Sequence, residues 1–172
     1  MNQPLHPLFV HLPLALAVLQ PLLAAGLAFA LWRSWLPLRT WWLVVAGQVL
    51  LTGSGLLALR TGEADEEAVE RVVAEASIER HEDAAKGFVA ASGVALAIAL
   101  LPLLLRQRPR LVHAAAVATP IAGLGVLGLA WRTGAAGGDL VYRDGAAAAF
   151  ATGGDANARP APVTPRREHD EH

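Results

Sequence analysis

The chain has 172 residues, of which 54% are hydrophobic and only 17% are charged, and its formal net charge is −1. Soluble domains usually have about a quarter of their residues charged, so this composition, with a mean hydropathy of +0.41, indicates a membrane protein. The near-neutral charge excludes the basic field that binding to nucleic acid requires. The absence of cysteine excludes disulfides, thiolate metal sites and iron–sulfur clusters.

The first predicted helix covers residues 7–32, a run without charged side chains that is long enough to cross a membrane. Pro7 suits the first helical position, where its missing N–H costs nothing. Pro13 and Pro21 are expected to kink the helix. A cleavable signal peptide would begin with basic residues, whereas residues 1–32 contain no Lys or Arg. We therefore expect this helix to remain in the mature protein.

Three further apolar runs predict spans over residues 40–59, 87–105 and 111–131. Each run contains small residues at about four-residue spacing, the pattern that lets helix backbones approach one another in lipid. The predicted fold class is an all-α integral membrane four-helix bundle that occupies one domain, residues 1–145. Small-residue faces beyond those that the bundle needs would also permit a homodimer.

Residues 61–86 differ from the spans because they are rich in Asp and Glu. Apolar residues recur in this segment at helical spacing: Val69, Val72, Val73 and Ala76. The pattern predicts an amphipathic extracytoplasmic helix between the second and third spans. The fourth helix is predicted to end near Trp131 and to be followed by a Gly-rich segment. Residues 146–172 lack periodicity, which predicts a disordered tail.

The charges of the loops predict how the chain is oriented. The turns after the first and third spans carry arginines and no acid: Arg33, Arg39, Arg106, Arg108 and Arg110. The positive-inside rule assigns these turns to the cytoplasm, and both termini and the acidic segment to the outside. We expect a multi-pass protein of a bacterial inner membrane, in contact with the lipid bilayer.

This topology brings several polar residues to the outer face: His6, His11, His81, Tyr142, Glu63 and Glu82. His11 lies about one turn into the first span, where the cost of dehydrating an imidazole makes it a candidate for function. His113 lies at the opposite membrane face and cannot join this cluster.

Three chemistries suit the cluster, and the residue pattern leaves them open. A haem b between helices one and three would take His11 and His81 as axial ligands. A transition-metal ion is the second option, since imidazole suits Zn, Cu and Fe. Its candidate ligands are His6, His11, His81, Glu63 and Glu82. The third is a proton or quinol site that uses His11 and a carboxylate.

Each histidine of the cluster also has a purely structural interpretation. His6 suits a polar cap at the membrane interface, and His11 can hydrogen-bond a carbonyl freed by Pro13. His81 lies in a charged helix, where solvated histidines are common. Tyr142 suits an interfacial anchor as well as a cofactor contact.

Two terminal motifs resemble an uncharacterised bacterial membrane family, domain of unknown function 2231. They are the opening His6-Pro7-x-x-Val10-His11-x-Pro13 and the closing Gly138-Asp139-Leu140-Val141-Tyr142. Two middle motifs are also similar: Thr61-Gly62-Glu63 and His81-Glu82. The resemblance, over residues 5–146, implies four spans and a cluster at the outer face, and it carries no activity. Where a histidine is expected before the last glycine, this chain has Asp144, which weakens a ligand role there.

These observations favour binding of haem b or a transition metal in electron transfer, with a redox partner protein docking on the acidic side. The alternative is a membrane scaffold or partner subunit without a cofactor. A transporter fits less well, because the sequence has only four spans, no mid-membrane charge and no evident inverted repeat. No Ser-His-Asp spacing or HExxH motif occurs, so a stand-alone enzyme is not expected.

Overall fold

The computed structural model describes residues 9–146, without the side chains of residues 64–68. This part of the chain forms four long helices: α1 (His11–Trp32), α2 (Trp42–Val69), α3 (Glu75–Leu104) and α4 (Pro109–Tyr142). A short 3₁₀ helix, Leu38–Trp41, precedes α2. The described residues contain no strand, which confirms the predicted all-α four-helix bundle. His6 and the predicted tail from residue 147 onward lie outside the described residues.

Each helix packs against its neighbours in chain order, and α4 closes the bundle against α1. Within the described residues, the backbones of α1 and α3 are not in contact, and neither are those of α2 and α4. These pairs therefore occupy opposite corners of a square bundle. The helices that carry His11 and His81 are one of the diagonal pairs.

Small residues allow the helices to approach closely. A Cβ built on Gly123 of α4 would lie 3.1 Å from the Cβ of Pro21 in α1, and one on Gly55 of α2 would lie 3.0 Å from Phe88 Cε1 in α3. Ala95 and Ala99 of α3 are almost completely buried. The bundle is thus held by the backbone proximity that small residues permit in lipid.

Buried polar side chains tie neighbouring helices together. The indole N–H of Trp41, which is fully buried, donates to the carbonyl of Ala99 at 2.8 Å. The amide of Gln48 in α2 donates to the carbonyl of Ser92 in α3 at 3.1 Å. Hydrogen bonds between membrane helices contribute about 0.6–2 kcal/mol each, so these contacts fix the register of α2 against α3.

All four helices are long and apolar enough to cross a membrane. From Pro109 to Trp131, α4 is roughly 33 Å long at 1.5 Å per residue, which matches the roughly 30 Å hydrocarbon core of a bilayer. Large apolar side chains such as Leu22 and Ile121 are 66% and 64% exposed, as expected of residues that face lipid. The chain is a multi-pass membrane protein.

The helices extend further than the predicted spans. The acidic segment is helical, but it forms the end of α2 and the start of α3 rather than a separate surface helix. The fourth helix continues past Trp131, through the Gly-rich stretch, to Tyr142. A formed helix lengthens at little cost, and packing against α3 offsets the low helix propensity of the glycines. The apolar runs therefore predicted which part of each helix can cross the membrane, but not where each helix ends.

Candidate functional site

Three helices continue beyond the membrane-crossing length at one end of the bundle. Counted at about 20 residues per crossing from the arginine turns, α2 leaves the membrane near Arg60, α3 near Lys86 and α4 near Trp131. We call residues 61–85 and 132–146 the acidic end, because they contain every Asp and Glu of the described chain. We call the two opposite turns, residues 33–41 and 105–110, the arginine end.

At the acidic end, His81 lies where α3 and α4 meet. It belongs to the second turn of α3 and is half-buried. Its ring lies against Gly137 of α4: a Cβ built on that glycine would lie 3.1 Å from His81 Cε1 and 3.4 Å from Nδ1. The Nδ1 atom is buried. A side chain at position 137 would push the ring away, so the position of His81 depends on this glycine.

The neighbouring glycines of α4 have no such contact. A Cβ built on Gly134 or on Gly138 meets no atom within 4 Å. Glycine inside a helix costs about 1 kcal/mol relative to alanine. Contact with His81 gives a physical reason for that cost at Gly137, and nothing in the structure explains Gly134 or Gly138.

A small cleft of about 140 Å³ opens between α3 and α4 at the acidic end, and its lining does not include His81 or Gly137. Arg80, Arg132, Asp139 and Asp144 contribute charges of both signs to its lining. The guanidinium of Arg80 is oriented by hydrogen bonds within α3, including one from its terminal nitrogen to the hydroxyl of Ser77 at 3.0 Å. The cleft therefore presents charged and polar side chains to a small polar group.

The carboxylates near His81 already have partners. The Glu82 carboxylate forms an ion pair with Lys86, one helical turn away, with 2.7 Å between Oε1 and Nζ. Asp139 pairs in the same way with Arg143 at 3.2 Å. Ion pairs of this kind at a protein surface are weak.

The other predicted site residues lie at the edges of this end. His11 is exposed as the first residue of α1, Glu63 is exposed on α2, and Tyr142, the last residue of α4, is 89% exposed. Among the described residues, no group of three or more His, Asp and Glu is arranged to hold a metal ion. Of the predicted site residues that the structure describes, His81 is the one that packs against a neighbouring helix, and a complete ligand set would need residues in addition to it.

Sequence reasoning missed the partner of His81 and the charged lining of the cleft. Gly137, Arg80 and Arg132 attracted no attention because none belongs to a familiar motif. One signal was available: the adjacent pair Gly137-Gly138 in a run of otherwise helix-compatible residues indicates a close approach of another element.

Comparison with known proteins gives one match. The sequence profile of a family described as "predicted membrane protein (DUF2231)" matches residues 2–149, a range that includes all four helices. No curated protein and no solved structure matches the chain.

Proposed function

The chain belongs to the DUF2231 family of predicted membrane proteins, and we propose that it binds haem b or a transition-metal ion at its acidic end and transfers electrons. The cofactor would lie at the membrane surface, next to the helix extensions of α2, α3 and α4. His81 would be its central protein ligand.

The observation that carries this proposal is the packing of His81 on Gly137. Packing against the backbone of α4 at Gly137 restricts the orientation of the His81 ring. A ring oriented in advance loses little conformational freedom when it binds a metal.

Several residues are available to complete the ligand set. His6 and His11, near the start of α1, are the candidate second imidazoles, with His11 as the partner for a bis-histidine haem. Glu63 and Glu82 are candidate carboxylate ligands for a metal ion, and Tyr142 is a candidate contact to the cofactor. The bound group would supply the redox chemistry, and the protein would orient it and limit its access to water.

The surface around the site suits a soluble redox partner of opposite charge. The acidic end carries Glu63, Glu70, Glu75, Glu79 and Asp83 as exposed carboxylates. Such a field speeds encounter with a basic protein surface. Electron transfer to or from a basic soluble partner is therefore the reaction that we propose.

A scaffold or partner subunit without a cofactor is the second candidate. It is favoured by the pairing of Glu82 with Lys86, which gives that carboxylate a structural role of its own. In this alternative the contact of His81 with Gly137 serves only to pack α3 against α4.

Visible absorption spectra of the detergent-purified protein, oxidised and then reduced with dithionite, distinguish the two. A haem b gives a Soret band with sharp reduced bands, which His81→Ala should abolish and His11→Ala should alter. His113→Ala, at the arginine end, is the control and should leave the spectrum unchanged. A featureless spectrum together with no bound metal, from cells supplied with haem and metals, would favour the scaffold.

A further inference from the structure

An open groove of about 500 Å³ lies at the arginine end, between the turn after α1 and the turn after α3. Its floor is apolar and includes Leu31, Leu36, Leu38 and Val112, and its polar lining includes Arg106 and His113. We propose that this groove binds an anionic phospholipid, with the phosphate on Arg106 and an acyl chain on the apolar floor. The proposal is independent of a cofactor at the acidic end.

Uncompensated positive charge is the first argument. The arginine end carries five arginines: Arg33, Arg39, Arg106, Arg108 and Arg110. The sequence has no Asp or Glu between residues 9 and 62 or between 84 and 138, so no described carboxylate lies near these guanidinium groups. At the acidic end, by contrast, Lys86 and Arg143 are paired with carboxylates. The missing counter-charge is what the phosphates of anionic lipids supply.

The wall of the groove is built rigidly. At the end of α1, Ser34 adopts a left-handed conformation with φ of +57°, which is uncommon for a residue other than glycine. Its N–H donates to Leu31 and that of Trp35 donates to Ala30, both at 2.9 Å, in the pattern of a Schellman motif. Trp35 then meets Phe29 edge-on, with ring centroids 5.5 Å apart. The groove is therefore formed before a ligand arrives.

The depth of the groove in the bilayer favours a lipid over a soluble anion. Trp32 and Trp42, which flank the same turn, are 65% and 58% exposed, as expected of anchors at the lipid headgroup level. A soluble phosphate has no apolar group that could cover the apolar floor of the groove. A molecule with an anionic head and a hydrocarbon tail matches both halves of the lining.

Two side chains divide the recognition of the headgroup. Arg106 is exposed at the rim, and its planar guanidinium can bind a phosphate through two parallel hydrogen bonds. His113 Nδ1 lies 2.8 Å from the carbonyl of Pro109. Because a carbonyl only accepts, Nδ1 carries the proton, and Nε2 in this tautomer can accept a hydrogen bond from a hydroxyl of the headgroup.

Native mass spectrometry of the full chain in detergent tests the proposal, with phosphatidylglycerol and phosphatidylcholine added at equal concentration. We expect clear retention of phosphatidylglycerol, reduced about tenfold by Arg106→Gln, a change equivalent to about 1.4 kcal/mol. Arg39→Gln removes the same charge from the same end without lining the groove, and it should reduce retention less than about twofold. Val112→Trp, which fills the floor, should reduce retention of phosphatidylglycerol while Arg106 stays in place.

Three results would overturn the proposal. Equal retention of the two lipids would mean that the groove does not select negative charge. Equal losses in Arg106→Gln and Arg39→Gln would mean that diffuse charge, and not a site, attracts the lipid. Displacement of the lipid by excess glycerol phosphate would mean that the site is for a soluble phosphate. Gel filtration and thermal unfolding of each variant verify that it is folded.

Discussion

The two ends of the bundle treat their charged residues in opposite ways. At the acidic end, charges of both signs lie on helix extensions and pair with one another, as Glu82 does with Lys86 and Asp139 with Arg143. At the arginine end, charges of one sign lie on short turns between exposed tryptophans and have no described carboxylate near them. The acidic end therefore has an excess of negative charge that its ion pairs reduce, whereas the arginine end has positive charge only.

This difference in charge indicates that the two ends would bind different kinds of partner. The acidic end has the packing of His81 on Gly137, a small cleft with charged lining and several exposed carboxylates. The arginine end has a groove that combines hydrocarbon and positive charge. The membrane-crossing part between them has buried hydrogen bonds and closely packed small residues, which fix the positions of the helices relative to one another.

The largest loss of stability is expected from disrupting the packing of helices in the membrane-crossing part. Gly123→Leu would force a side chain into the backbone of α1 near Pro21, where the nearest atoms include Cα at 3.4 Å, and should destabilise the bundle by about 3 kcal/mol. A Cβ built on Gly125, two residues away, meets no atom within 4 Å and this glycine is exposed, so Gly125→Leu should be tolerated. Thermal unfolding in detergent measures both, and equal losses would contradict the close packing of α1 on α4.

A smaller loss is expected from the arginine end. Trp41→Phe removes the hydrogen bond to Ala99 and part of a fully buried ring, and should cost about 1–3 kcal/mol of unfolding free energy. Its neighbour Trp42 is 58% exposed, so Trp42→Phe is the matched control and should change stability little. If both variants unfolded alike, the 3₁₀ helix would not be anchored on α3.

At the acidic end, substitution of two adjacent glycines should have different effects on stability. Gly137→Ala places a methyl group 3.1 Å from the His81 ring, so it should displace the ring and cancel the gain in helix propensity. Gly138→Ala meets no atom within 4 Å and should stabilise α4 by up to about 1 kcal/mol. Thermal unfolding of the two variants, with the NMR shifts of the His81 ring, tests the pair. Identical behaviour would argue against the contact.

The smallest effect is expected from the ion pairs of the acidic end. Arg143→Gln removes the ion pair with Asp139. The side chain of Arg143 is 78% exposed and that of Asp139 is 50% exposed. Exposed pairs one helical turn apart contribute about 0.3–0.5 kcal/mol, and salt screens them. Chemical unfolding at low and high ionic strength should therefore separate the variant from the parent only at low salt. A loss above about 1 kcal/mol would show that this pair is more than a surface contact.

Much of the fold could be predicted from the sequence, because the length and spacing of apolar runs determine how many times a chain crosses a membrane. Helix ends could not, since Glu75 and Tyr142 lie in polar or Gly-rich stretches whose helical state depends on tertiary packing. The family could be recognised from short motifs, and one of those motifs made His81 a candidate site residue, which stays a prediction. Its contact with Gly137 was not, because the two residues are distant in the sequence and meet only when α3 packs on α4.

Bound cofactor per chain tests the account most directly. The protein and its His81→Ala and His113→Ala variants would be purified from cells supplied with haem and transition metals, and haem and metal would be measured per mole of folded protein. The account predicts stoichiometric haem or metal in the parent and in His113→Ala, and its loss in His81→Ala. Equal content in all three proteins, whether full or absent, would contradict a cofactor site built on His81.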